Sequence, residues 1–177
     1  MNNNEKALLD LFFHPRSIAV IGASSDERSF GYLYLRSLLK FGYGGKLYPV
    51  NPKAGVIQDL AVYPALDDIK DTVDLAVISV PGRGVPSVLE NCLAKGIKAA
   101  IVLSAGFRES GSEGKKLEEE AARVISKGIR VIGPNCFGVY CPKGGLTVVP
   151  GSSFPKESGP LALVSQSCLF SEVIILH

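Results

Sequence analysis

The sequence predicts an α/β fold, a mainly parallel sheet covered by helices, and three observations carry that prediction. Short β-branched runs alternate with longer amphipathic stretches. The runs are apolar at almost every position, as strands buried on both faces must be. Each run stops at a turn of small, polar or proline residues. With 177 residues and 46% hydrophobic content the chain can bury a sizeable core, and at about 150 residues per domain it makes one domain with an appendage. Nineteen Lys and Arg against 17 Asp and Glu leave a net charge of +2. That is too near balance to make nucleic acid or a membrane the main partner, while a small anionic ligand stays open. The longest apolar runs fall far below the ~20 residues needed to span a bilayer, which points to a soluble, cytoplasmic protein.

The first strand is 17–21, stopped by Gly22, and the first helix runs from about residue 30 to 40 with Leu35, Leu38, Leu39 and Phe41 on its buried side. Gly42-Tyr43-Gly44-Gly45 ends that helix, and the second strand, 46–50, is cut off by Asn51-Pro52. Residues 55–71 read as a connection with a short helix at 66–69. The third strand, 73–80, stops at Pro81-Gly82, and a helix over 85–95 closes at Gly96. The fourth strand is 99–103. An exposed helix spans 112–127, with Glu119 four residues before Arg123 and an apolar stripe of Leu117, Ala121, Val124 and Ile125. The fifth strand is 130–132. From Gly133 to Pro155 the chain turns rich in Gly, Pro and Ser, which places a boundary there. Residues 1–150 are then one domain, and 151–177 hold a linker with the first strand (161–164) and partial helix of an incomplete second α/β domain. So short a tail cannot close a core, so it docks on the first domain, pairs with another chain, or belongs to a larger second domain.

In an open parallel sheet the ligand sits outside the carboxyl ends of the strands. Those ends read Gly22-Ala23-Ser24-Ser25, Asn51-Pro52-Lys53, Pro81-Gly82-Arg83, Ser104-Ala105-Gly106-Phe107-Arg108 and Gly133-Pro134-Asn135-Cys136, a continuous rim suited to phosphate and a planar base. In the first loop Gly22 lets the strand turn, Ser24 and Ser25 offer hydroxyl donors, and Gly31 permits close backbone approach at a helix N-terminus that attracts anions. The dinucleotide fingerprint Gly-x-Gly-x-x-Gly is absent. An NAD site usually carries Asp or Glu after the second strand, whereas this chain has Asn51-Pro52-Lys53. A lysine there suits an extra phosphate, on the 2′ position of NADP or the 3′ position of coenzyme A. An NAD(P)-binding domain of an oxidoreductase or redox sensor remains the alternative.

The four cysteines form no CxxC pair and have no histidines at metal spacing, so reduced thiols are expected and no metal site is assigned. Cys136 lacks a neighbouring base in the sequence and reads as a small loop residue. His14 reads as a turn residue and His177 simply ends the sequence.

Residues 13–24, 48–53, 132–138 and 162–167, together and in this order, resemble the CoA-binding domain of the ADP-forming acyl-CoA synthetases, a family related to the α subunit of succinyl-CoA synthetase. The resemblance implies a Rossmann-like, doubly wound sheet that holds CoA or acyl-CoA across its strand ends. It implies that Ser24, Ser25 and Gly31 meet the phosphate and pantetheine region, and Lys53 a CoA phosphate or the nucleotide end. Val80, Pro81, Ser104 and Ala105 would line the groove, and Asn135 would stand near the thiol. With Gly22, Asn51 and Gly106 from the same rim, these make up the candidate binding set. The overall reaction of the family converts acyl-CoA, ADP and phosphate to acid, CoA and ATP. Its phosphate-relaying histidine lies beyond the matched residues, so no catalytic residue is assigned, and a ligase chain with the phosphohistidine and ATP-grasp domains is the implied partner. Cys168 stands where the resembling motif has glycine, which together with the ending at 170–177 reads as a truncation early in the second domain.

Overall fold

The computed structural model describes residues 2–53, 55–150 and 154–176. Helix α1 (Asn3–Asp10) precedes strand β1 (Ser17–Ile21), helix α2 (Phe30–Phe41) and strand β2 (Lys46–Val50). A short hairpin, β3 (Val56–Ile57) with β4 (Leu60–Ala61), leads to β5 (Leu75–Ile78), α3 (Val85–Ala94), β6 (Ala99–Val102), α4 (Ser112–Ile125) and β7 (Arg130–Ile132). A second hairpin, β8 (Val139–Cys141) with β9 (Leu146–Val148), and helix α5 (Cys168–Leu176) follow.

Five strands pair in parallel in the order β2-β1-β5-β6-β7. The chain steps outward from β1 to β2 and then returns past β1 to β5, so the winding reverses between β1 and β5. This is the Rossmann-like, doubly wound α/β sheet that the sequence predicts. Every residue of β1 and β5 is buried because successive side chains point to opposite covered faces. Ala19, Ile21, Ala76 and Ile78 pack with Leu89 and Cys92 of α3 and Ala121 and Val124 of α4. Ile18, Val20, Leu75 and Val77 pack with Tyr34, Leu35 and Leu38 of α2 and with Leu146 and Val148 of the second hairpin.

β1, β2 and β7 have their predicted limits. The third strand is shorter than expected: Val73 and Val80 add apolar packing beyond the Leu75–Ile78 ladder. On α2, Leu39 is exposed rather than buried, because the inward stripe runs through Tyr34, Leu35, Leu38 and Phe41. On α4, Arg123 Nε donates to the carbonyl of Glu119 at 3.4 Å rather than to its carboxylate. The expected short helix is a single 3-10 turn, Leu66–Asp68. Both hairpins lie where the sequence shows only connection, and α1, with its Asn2–Glu5 capping box, is an element the sequence reading left out.

The expected strand at 161–164 does not form. Leu161 and Val164 are 93% and 99% exposed, and among the described residues no ladder lies beside them to satisfy a lone strand. Residues 154–156 are anchored instead: Phe154 packs on Tyr140 with centroids 5.5 Å apart, Tyr140 donates its hydroxyl to the Pro155 carbonyl, and Lys156 lies 5.8 Å from the Phe41 ring centre. The boundary placed at 151, and His177, fall outside the described residues. Among those residues no helix is long and apolar enough to cross a membrane.

Candidate functional site

The parallel sheet puts every strand's carboxyl end on one edge, so Ser24, Lys53 and Asn135 share a rim. From β2 to β7 that rim covers four inter-strand steps, about 19 Å, which suits an elongated ligand. Its centre is the switch point between β1 and β5, where ligands of such sheets sit. The ladder continues into the turns there: Gly22 N donates to the Val50 carbonyl at 3.0 Å and Ser79 N to the Ile21 carbonyl at 2.8 Å.

Glycine is required in the first loop for a reason the sequence does not show. Gly22 has φ +90°, and a Cβ on it would stand 2.5 Å from the Ser79 carbonyl oxygen. A Cβ on Gly31 would stand 2.0 Å from the Gly22 carbonyl oxygen. The close approach expected of a ligand at Gly31 is therefore already made by the chain's own backbone, which folds the loop back against the helix start. Ser24 Oγ accepts from Asp26 N at 3.0 Å, Ser29 caps α2 by accepting from Tyr32 N at 3.2 Å, and Ser25 is exposed. The helix thus presents its first turn to the rim, where the backbone dipole favours an anion.

Side chains then fasten one loop to the next. Asn51 donates from Nδ2 to the Ala23 carbonyl at 2.6 Å and accepts from Lys53 N at 2.7 Å, pinning the first loop to the second. Ser104 Oγ donates to the Val80 carbonyl at 2.5 Å, and the Ser104 carbonyl accepts from Asn135 N at 2.9 Å. Both residues lie on the rim as expected, but these polar contacts go to the protein, so they hold the lips in register. Asn135 adopts φ +50°, a conformation its short polar side chain tolerates, and is itself exposed. Val80 is half-buried beside exposed Pro81 and Ala105, as a groove wall needs.

Two fastenings escape sequence reasoning. Tyr34 donates its hydroxyl to the Phe137 carbonyl at 2.9 Å, and Gln58 donates from Nε2 to the Tyr32 carbonyl at 3.1 Å. The expected helix stripe omitted Tyr34, and its partner lies 103 residues away. Beside Ala105, the amides of Gly106 and Phe107 donate to Glu109 Oε1 at 2.8 and 3.2 Å, and these bonds, that from Gly106 first, hold the Glu109 carboxyl below the usual range. That pair of amides is filled by the chain's own carboxylate, which leaves the α2 start as the better place for a ligand phosphate.

The rim's cations differ in how they are engaged. Arg108 pairs with Glu118 at 2.9 Å, whereas Lys53 and Arg83 make no ion pair among the described residues. Arg83 borders an open depression of about 460 Å³ that reaches Gly106 and the first turn of α4. Cys136 Sγ lies 3.4 Å from the Val102 carbonyl oxygen, and burial pushes its thiol up to about 11. It stays protonated at neutral pH and is no ready nucleophile. His14 is bound to Asp10 at 2.6 Å in the turn before β1, at the opposite edge of the sheet. Among the described residues, the rim brings together backbone amides, the hydroxyls of Ser24, Ser25 and Ser104, and Lys53, while His14 lies away from it.

Residues 16–142, which include every strand of the sheet, match the family model described as CoA binding domain. The chain belongs to the CoA-binding domain family. This CoA-binding domain is 46% identical over 166 residues to the ADP-forming acetate–CoA ligase I subunit alpha of Pyrococcus furiosus, covering 90% of this chain and 35% of that one. It is 39% identical over 169 residues to the ADP-forming acetate–CoA ligase II of Archaeoglobus fulgidus, covering 95% of this chain and 25% of that one. Among solved structures, the Ca. Korarchaeum cryptofilum dinucleotide-forming acetyl-coenzyme A synthetase 1 in complex with phosphate and ADP superimposes with a TM-score of 0.84 at 43% identity, over 94% of this chain and 36% of that chain. The chain thus spans between a quarter and about a third of the length of these curated relatives. An oxidoreductase reading finds no support among them.

Proposed function

We propose that this chain binds coenzyme A or acyl-CoA along the carboxyl edge of its sheet, as the CoA-holding part of an ADP-forming acyl-CoA synthetase, and performs no catalysis by itself. One observation carries the reading. A chain of the CoA-binding domain family presents, at the switch point of its sheet, a self-packed glycine loop and a helix N-terminus, with Lys53 at the end of the neighbouring strand. In this reading the amides and hydroxyls around Ser24, Ser25 and Gly31 take the diphosphate, and Lys53 takes the 3′-phosphate. Val80, Pro81, Ser104 and Ala105 line the groove, Gly22, Asn51 and Gly106 shape it, and Asn135 faces the thiol end. CoA is then a substrate of the complete ligase rather than a resident cofactor.

The complete enzyme would place the phosphohistidine and the ATP-grasp domains in further polypeptide, within the cytoplasm. Residues 151–177 would be its linker and the opening of the second domain. The exposure of Leu161 and Val164 supports this, since a neighbouring strand would bury them.

Titration calorimetry with CoA and acetyl-CoA tests the reading directly, and absence of heat together with absence of a thermal shift at millimolar ligand would reject it. Lys53→Ala should weaken CoA about tenfold while changing dephospho-CoA far less, the loss of one charge-assisted phosphate contact. Equal losses for both ligands would move the 3′-phosphate elsewhere.

A further inference from the structure

Gln58 stands in a backbone conformation that its residue type rarely takes. With Asp59 it makes the two-residue turn of the β3–β4 hairpin, at φ of +50° and +63°. Positive φ at both positions of such a turn is met most readily by Asn-Gly. Asp59 and Asn135, the other non-glycine residues with positive φ among the described residues, have short polar side chains that tolerate it. Gln58 is longer, so its backbone cost has to be offset by what that length reaches. It reaches the carbonyl of Tyr32, in the first turn of α2, at 3.1 Å.

That contact completes a strap between β2 and α2. The chain leaves β2 at Asn51 and returns beside it at Tyr63: Asn51 N donates to the Tyr63 carbonyl at 3.0 Å, and Tyr63 N to the Pro49 carbonyl at 2.9 Å. Val62 N closes the hairpin by donating to the Gly55 carbonyl at 2.9 Å. At its root the strap is tied to the first loop by the Asn51 bond to Ala23, and at its tip to the helix by Gln58. Lys53 lies between these ties, two residues after one and five before the other. Ile57 and Val62 pack with Tyr34 and Leu35 of α2, which holds the hairpin on the helix. Apolar contact is non-directional, however, and does not fix where along the helix the tip rests. A hydrogen bond, with its demands on distance and angle, does.

We propose that Gln58 is a positioning residue for the phosphate site: by fixing the strap on the first turn of α2, it sets the spacing between Lys53 and the helix start, so that one CoA molecule meets both. This inference rests on the CoA reading given above.

Two substitutions separate positioning from mere support of the fold. Gln58→Met keeps the length and the backbone cost but loses the donor, and its melting temperature should fall. Gln58→Gly also loses the donor but relieves the backbone, so its melting temperature should lie above that of the methionine variant. Calorimetry on the full chain should nevertheless show both variants binding CoA about fivefold more weakly than the parent, the scale of one hydrogen bond, with dephospho-CoA within about twofold. The inference fails if either variant keeps the parent's affinity for CoA, if affinity follows melting temperature across the three proteins, or if both ligands weaken alike. A parent chain that binds CoA and dephospho-CoA equally removes the role of Lys53, and this inference with it, while the CoA reading stands. A parent chain that binds neither overturns the CoA reading and this inference together.

Discussion

The two edges of the sheet are built on opposite plans. At the amino edge, Asp74 Oδ2 accepts from Arg16 N at 2.8 Å and Nε at 3.2 Å, while Asp71 Oδ2 accepts from Lys46 Nζ at 2.7 Å and from the Tyr48 hydroxyl at 2.6 Å. Ser17 Oγ joins them, donating to the Thr72 carbonyl and accepting from Asp74 N, both at 3.0 Å. The Arg16–Asp74 and Lys46–Asp71 charges there are paired within the chain. At the carboxyl edge Asn51, Ser104 and Tyr34 spend their hydrogens on main-chain carbonyls of neighbouring loops, and Lys53 and Arg83 stay unpaired among the described residues. One edge closes the fold, and the other holds loops in place while leaving donors and cations available to a ligand.

Three substitutions would sharpen or break that contrast. The largest effect is expected from Gly31→Ala, whose added methyl collides with the Gly22 carbonyl; a loss of about 3 kcal/mol in urea unfolding, together with weakened CoA binding, is the expected outcome. A loss below about 1 kcal/mol would mean that the loop has slack and that the rim is not preset. Asp74→Ala at the amino edge should cost about 2 kcal/mol through two lost hydrogen bonds while leaving CoA affinity within about twofold. A comparable fall in affinity would show that the edges are coupled.

The smallest effect concerns pH. Lys46 first, then Tyr48, holds the Asp71 carboxyl below its ordinary value by hydrogen bonding to the charged form. The unfolded chain therefore binds this proton more readily. The stability Asp71 adds is complete above the ordinary carboxylate range and drains as pH falls through the depressed one. Asp71→Asn should flatten the acid limb of a melting-temperature profile below about pH 4 and leave the neutral limb parallel to the parent's. An unchanged acid limb would assign the acid sensitivity to other carboxylates.

These contrasts also show what a sequence can disclose. β1 was legible to the residue because an unbroken apolar run, buried throughout, meets Gly22, and β2, an edge strand with an exposed Lys46, was legible because it is framed by Gly44-Gly45 and Asn51-Pro52. The third strand was overdrawn because Val73 and Val80 are apolar for packing rather than for pairing. The hairpins stayed hidden because two or three residues per strand give no period, and their ladders depend on a partner across the turn. At the site, the rim followed from the fold class, since parallel strands must end on one side. The work of Asn51 and Ser104 did not follow, because their acceptors at Ala23 and Val80 lie 28 and 24 residues away. Gly31 was singled out as a place of close approach to a ligand, and the structure shows the Gly22 carbonyl making a close approach there.

The anchorage at residues 154–156 has a mechanical meaning. Lys156 sits over Phe41, the last residue of the helix whose first residue is Phe30, and twelve residues of helix make a rod about 18 Å long. Traction on the downstream segment is delivered to the foot of that rod, while its head borders the ligand. The moorings at Tyr140 and Phe41 thus seat residues 154–156 against the end of α2 far from the rim.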